Sequence, residues 1–122
     1  MRILLVEDNI LNQKVISYNL GKLNYEVVAV SNGIDALSNL KENKFNLVLM
    51  DLMLPGMNGY EITREIRKTE KQAGVEKEIP IIAITANTLD NDRQKCLDVG
   101  MNDYLSKPFT IEELITKVQL FV

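Results

Sequence analysis

The chain has 122 residues, enough for one domain with a single core, and its 46% hydrophobic and 25% charged residues are those of an ordinary globule. A net charge of −3, with lysines and arginines scattered along the chain, argues against direct nucleic-acid binding, and the absence of histidine excludes Ser-His-Asp and Cys-His nucleophiles and argues against zinc. The lone Cys96 cannot form an internal disulfide, which suits a reducing, cytoplasmic setting; no apolar run approaches bilayer-spanning length and no signal-peptide pattern opens the sequence, so no membrane insertion is expected.

Short β-branched runs alternate with amphipathic segments five times, and this rhythm predicts a parallel sheet covered by helices on both faces. The first strand, Arg2 to Val6, leads through Asn9 as helix N-cap into a helix whose expected core face is Leu11, Val15 or Ile16, Leu20 and Leu23. Glu26 to Val30 is the second strand. Asn32-Gly33 turns the chain into a short helix with Ile34, Leu37 and Leu40 inward, ending near Asn43. Phe45 to Met50, apolar almost throughout, is a strand buried on both faces. Leu52 to Gly59 carries Pro55, Gly56 and Gly59 and is expected as a loop, before a helix with Ile62 and Ile66 inward. The charged stretch Lys68 to Glu78, interrupted by Gly74, is expected as a solvated connection to a fourth strand, Ile79 to Thr85. The next helix, about Leu89 to Val99, has a thin apolar face of Leu89, Cys96, Leu97 and Val99, with Gly100 at its C-terminal end, and should be weakly held. Met101 to Ser106 is the fifth strand, and Ile111, Leu114, Ile115, Val118 and Phe121 stripe the last helix. No internal repeat or interdomain linker is apparent, so residues 1–122 are expected to form one domain.

Chemistry-bearing residues gather at the exits of these strands: Glu7 and Asp8 after the first, Asp51 after the third, Thr85 at the end of the fourth and Lys107 after the fifth. Ligands of open parallel sheets sit at the carboxyl ends of the strands, so these positions can converge. Carboxylates gathered without histidine or thiolate repel one another unless a hard cation neutralises them; oxygen ligation favours Mg²⁺ or Ca²⁺, and Mg²⁺ tolerates so few protein ligands best. Taken alone, Asp8 could simply help cap a helix, Thr85 could be an ordinary strand residue and Lys107 an exposed lysine. Asp51 stands out, because it ends the most apolar strand and is followed by a Pro-Gly loop; a carboxylate there can attack phosphorus if a metal and a cation offset the charge.

The order Val6-Glu7-Asp8-Asn9, Met50-Asp51 with Leu54-Pro55-Gly56-Met57-Asn58-Gly59, Thr85-Ala86, and Tyr104-Leu105-Ser106-Lys107-Pro108-Phe109 resembles the receiver domain of two-component response regulators over essentially the whole chain. The resemblance implies a (βα)5 doubly wound, flavodoxin-like α/β fold with strand order 2-1-3-4-5. It implies that Asp51 is the phosphoacceptor, that Asp8, Asp51 and the Met53 carbonyl ligate Mg²⁺ directly, and that Glu7 acts through metal-bound water. Lys107 would pair with the phosphoryl group, Thr85 would move toward it and draw in Tyr104 as a rotameric switch, and Lys107-Pro108 would be cis. Asp8 to Gln13, including Asn12 and Gln13, and the run from Thr85-Ala86-Asn87 through Asp92-Arg93 to Cys96–Tyr104 are most similar to receivers of hybrid sensor histidine kinases. The implied partner is a histidine kinase core or a histidine-containing phosphotransfer protein, with the receiver itself a monomer and a phosphoacceptor, not an enzyme with small substrates. The implied output surface is the fourth helix, fifth strand and fifth helix.

No Gly-rich Lys-Ser/Thr nucleotide loop is present, so direct use of ATP is not expected. A haloacid-dehalogenase-like phosphatase would also use a strand-end aspartate and Mg²⁺, but would place a general-acid aspartate where Met53 stands. A flavodoxin-like flavin module would want a Ser/Thr/Gly loop after the first strand, where Glu7-Asp8 would repel a flavin phosphate. In a receiver, the positions two past the phosphoacceptor and two past the threonine govern attack by water. Here they are Met53 and Asn87, neither a general base, which predicts slow self-dephosphorylation.

Overall fold

The structure, a computed structural model, describes residues 1–86 and 90–121, with 90–92 described by backbone only. Among these, strands β1 (Arg2–Val6), β2 (Glu26–Val30), β3 (Leu47–Asp51), β4 (Ile81–Thr85) and β5 (Asp103–Ser106) alternate with helices α1 (Ile10–Gly21), α2 (Gly33–Glu42), α3 (Gly59–Ala73), α4 (Asp90–Asp98) and α5 (Ile111–Gln119). The strands form one parallel sheet in the order β2-β1-β3-β4-β5. The expected α/β class, topology and strand order are therefore those observed. Among the described residues no helix is long and apolar enough to cross a membrane.

Side chains of successive strand residues point to opposite faces, and the core divides accordingly. Leu4, Val6, Val48, Met50, Ile81 and Ala83 face α2, α3 and α4, packing with Ala36, Ile62, Ile66 and Cys96. Ile3, Leu5, Leu47, Leu49, Ile82 and Ile84 face α1 and α5, packing with Ile16, Leu20, Leu114 and Val118. From β1 the chain first winds toward β2 and then crosses to β3 on the other side. This reversal opens a crevice at the carboxyl ends of β1 and β3, the topological switch point of such sheets.

Several local expectations need correction. In α1 only Ile16 and Leu20 are buried, whereas Leu11 (70% exposed) and Val15 (44%) face outward. Leu11 precedes Ile16 by five residues, which places it roughly 140° away around a 3.6-residue helix, so the two cannot share a face. Leu23 lies on the Ile16 side but past the end of α1, and is exposed. In α2 the inward stripe is Gly33, Ala36, Leu37 and Leu40, at spacing i, i+3, i+4, i+7, and Ile34 is exposed. Gly33 is the first helical residue, N-capped by Asn32; a Cβ there would lie 2.8 Å from the Ile62 side chain, so its small size lets α2 meet α3.

The charged stretch after Ile66 is not a loop: α3 continues to Ala73 and stops at Gly74, whose φ of +67° forms a left-handed C-cap. A solvated helix face, read without its length, resembles a connection. Strands β3, β4 and β5 begin later than expected, at Leu47, Ile81 and Asp103. In α4 Cys96 is buried and Val99, just past its end, packs against the core, but Leu97 faces outward; Leu89 lies outside the described residues. The stripe of α5 holds, with Leu114 and Val118 fully buried and Ile115 and Phe121 packed beside them.

Candidate functional site

Strand β1 ends in a buried carboxylate. The Glu7 amide continues the sheet by donating to the Val30 carbonyl (3.0 Å), which turns its side chain into the crevice, where it is 2% exposed. Asp8 follows at the surface, and the capping role falls to Asn9, whose Oδ1 accepts the Asn12 amide (3.0 Å). Asp51 is the last residue of β3, with all five residues of that strand buried. Its Oδ1 accepts the backbone N–H of Met53 (2.9 Å), the first turn of the loop that follows. That loop is closed by a bond from the Gly59 amide to the Leu52 carbonyl (3.2 Å) and by the capping box of Asn58 and Glu61 at the start of α3.

Carboxylate oxygens of Glu7, Asp8 and Asp51 lie within 4.8 Å of one another. Lys107 enters from β5, where its amide donates to the Thr85 carbonyl (2.7 Å) and its peptide bond to Pro108 is cis, as expected. Its Nζ lies 3.2 Å from Glu7 Oε1 and 3.3 Å from Asp51 Oδ2, bridging the two buried acids. Burial alone would lower the lysine pKa, but the carboxylates of Asp51 and Glu7 outweigh it and hold Lys107 above its ordinary value. Three carboxylates thus face one ammonium, and this oxygen-only, net negative donor set fits a hard divalent cation.

Thr85 is buried at the end of β4, one residue beyond Ile84, the register partner of Asp51. Tyr104 pairs in register with Ala83, is half-buried, and has the Arg93 guanidinium 5.6 Å from its ring centroid. The Met53 side chain is 69% exposed at the mouth of the crevice, and Asn87 lies outside the described residues.

Asn12 and Gln13, which the sequence marks by resemblance but gives no role at the site, also belong here. Asn12 Nδ2 donates to Glu7 Oε1 (3.2 Å), and Gln13 Nε2 donates to the Glu7 carbonyl as well as to the Val30 carbonyl (3.3 Å) and Ser31 Oγ (3.2 Å). Their signal was position: the third and fourth residues after an N-cap lie on the first turn of the helix, next to the strand end that precedes it. Beside the acids a groove of about 460 Å³ is lined by Glu7, Asn12, Val15, Lys107, Pro108 and Phe109.

Residues 3–119 match the response regulator receiver domain family, and the chain belongs to that family of two-component signalling proteins. It is 39% identical over 124 residues to the hybrid signal transduction histidine kinase B of Dictyostelium discoideum, covering 96% of this chain but only 6% of that far longer protein. Among solved structures, the receiver domain of sensor histidine kinase PA1611 from Pseudomonas aeruginosa PAO1, which holds a magnesium ion in its active site cleft, is 47% identical with a TM-score of 0.85, over 98% of this chain and 95% of that one. The receiver domain of Ssk1 from Saccharomyces cerevisiae, crystallised with the histidine phosphotransfer protein Ypd1, is 35% identical with a TM-score of 0.94, over 99% of this chain and 88% of that one. The phosphoacceptor family is thereby established, and the haloacid-dehalogenase alternative falls away.

Proposed function

We propose that the chain, as a single domain over residues 1–122, takes a phosphoryl group from a phosphohistidine onto Asp51 in a Mg²⁺-dependent reaction and switches or relays the signal. The observation that carries this is the cluster of Glu7, Asp8 and Asp51 oxygens within 4.8 Å, faced by Lys107. Asp8, Asp51 and the Met53 carbonyl would hold the cation, with Glu7 acting through its water. Bound there, Mg²⁺ would offset the carboxylate charge and that of the phosphoryl oxygens.

An Asp51 carboxylate oxygen attacks phosphorus; the P–N bond of the donor breaks, its electron pair returns to the imidazole, and an acyl phosphate forms. Lys107, already 3.3 Å from Asp51, turns its ammonium to the transferred phosphoryl oxygens. Thr85 donates its hydroxyl to one of those oxygens, and Tyr104 follows inward, altering the face made by α4, β5 and α5. The chain turns over only its own phosphoryl group and is not an enzyme with free substrates.

The donor is a histidine kinase core or a histidine-containing phosphotransfer protein. Support comes from the Ssk1 receiver seen with Ypd1, and from Ile10, Leu11 and Val15, which expose apolar surface on α1, Val15 also lining the groove at the acids. Cys96, the one cysteine of the sequence, is buried and supports a reducing, cytoplasmic setting, and the receiver acts as a monomer. Intact-mass spectrometry after incubation with acetyl phosphate and Mg²⁺ tests the proposal. Wild type should gain one phosphoryl group and Asp51→Asn none; equal gain in both, or none in either, would refute it.

A further inference from the structure

We infer that Asn12 is a positioning residue of the acidic cluster: its side-chain amide orients the Glu7 carboxylate and thereby sets the affinity of the site for a divalent cation. The inference rests on the proposed Mg²⁺-dependent role of Glu7, Asp8 and Asp51.

Helices α3 and α5 open with reciprocal capping boxes, in which the N-cap side chain accepts the N–H of the third helical residue and that residue's glutamate reaches back to the N-cap amide. Helix α1 keeps only half of this device. Asn9 Oδ1 accepts the Asn12 amide, but the Asn9 amide donates to Glu7 Oε2 (3.3 Å), and the Asn12 side chain donates to Glu7 Oε1 (3.2 Å). The buried carboxylate of Glu7 thus sits where the return arm of the box would be, with one oxygen held by the N-cap and the other by the third residue of the helix.

The residue type at position 12 matters. Glutamate, the usual partner in such a box, would add a fourth negative charge to the cluster. Lysine would neutralise Glu7 and compete with the cation. An asparagine amide fixes a carboxylate by donation while leaving its charge in place. The hold is also independent of Lys107, which divides its ammonium between Glu7 and Asp51. Once Lys107 turns to a phosphoryl group on Asp51, Asn12 and the Asn9 amide still orient Glu7. Gln13 completes the support by fixing the Glu7 carbonyl against the end of β2, so both backbone and side chain of Glu7 are tied to the first turn of α1.

The test is isothermal titration calorimetry of Mg²⁺ with the full chain as wild type, Asn12→Leu, Glu7→Gln and the double variant, with thermal midpoints recorded without metal. Residues that orient metal-site groups typically contribute 10–100-fold in affinity, and a group acting through a water-linked carboxylate should fall at the low end, so Asn12→Leu is expected to bind Mg²⁺ about 10-fold more weakly. In the Glu7→Gln background the same substitution should change affinity by less than about 2-fold, because the two act as one unit. An Asn12→Leu affinity within about 2-fold of wild type, or tighter, overturns the inference, as does an undiminished effect in the Glu7→Gln background. If the leucine variant is unfolded by circular dichroism, Asn12→Ala, with higher helix propensity, takes its place under the same criteria. Absence of Mg²⁺ binding in wild type would instead refute the proposed function.

Discussion

Replacing Lys107 with methionine removes the ammonium between two buried acids while keeping most of the unbranched aliphatic stem. At 3.2 and 3.3 Å, each ion pair carries about 5 kcal/mol of gross attraction at an effective dielectric constant of about 20, most of it offset by desolvation. The measurable quantity is the penalty of leaving Glu7 and Asp51 buried without their positively charged partner, and deleting one member of a buried pair typically costs about 3–5 kcal/mol. The Lys107 side chain is 26% exposed, so water reaches the site and the lower end, about 3 kcal/mol, is expected. With a urea slope of about 1.5 kcal/mol/M, the midpoint should fall by about 2 M. Saturating Mg²⁺ should recover much of this loss, because a cation held by Asp8 and Asp51, with Glu7 acting through its water, replaces the missing charge and any ligand specific to the folded state stabilises it. The variant should therefore gain more from Mg²⁺ than wild type does. Equilibrium urea unfolding followed by far-UV circular dichroism, with and without Mg²⁺, measures both quantities, and the chain has no tryptophan to report instead. A variant within about 1 kcal/mol of wild type, with the same Mg²⁺ response, would refute the charge-balance argument.

The alkaline limb of stability should report the same lysine: with its folded-state pKa raised, Lys107 contributes fully below the ordinary value of about 10.4 and the contribution is lost as pH rises through the higher folded value. The urea-midpoint gap between wild type and Lys107→Met should therefore narrow as pH rises above about 10.4, and a widening gap would count against it. Gly59→Ala should destabilise by about 3 kcal/mol, since a Cβ there meets backbone, the Asp51 carbonyl at 2.7 Å and Leu52 Cα at 2.9 Å, which cannot rotate away; unchanged urea midpoints would show that the loop yields. Met53→Asn should speed loss of the phosphoryl group from Asp51, because an amide at this exposed position can orient water and a thioether cannot; equal decay of the acyl phosphate in the two chains would remove Met53 from the account of its lifetime.

The fold was legible because the sheet is parallel and its inner strands are buried on both faces: Ile3 to Val6, Leu47 to Met50 and Ile81 to Ile84 are short unbroken apolar runs of the kind such strands carry. Helix faces were harder. Leu11 and Ile34, with Val15 as the alternative to Ile16, read as inward because apolar residues are expected inside, yet α1 and α2 each pack through a narrow stripe and leave large side chains exposed. The C-terminal half of α3 was invisible for the opposite reason, since polar residues at helical spacing carry no apolar period, and only the left-handed Gly74 marks its end. At the site, strand ends announced Glu7, Asp8, Asp51, Thr85 and Lys107. The amides of Asn12 and Gln13 gave no such notice, because a side-chain amide on a first helical turn has the same spelling whether it meets water or a buried carboxylate.

That difference bears on how the site can work. Lys107 is shared between Glu7 and Asp51 before any phosphoryl group arrives, so its move to a phosphorylated Asp51 would withdraw a positive charge from Glu7 at the moment the site gains negative charge. A carboxylate buried to 2% exposure cannot answer by turning to solvent. What remains on it is the Asn9 amide, the Asn12 side chain and whatever cation the acids hold. Phosphorylation should therefore tighten the dependence of Glu7 on the cation and on the first turn of α1 together. Helix α1, whose Asn12 and Val15 line the groove, would then carry the charge state of the site in its own N-terminal bonds.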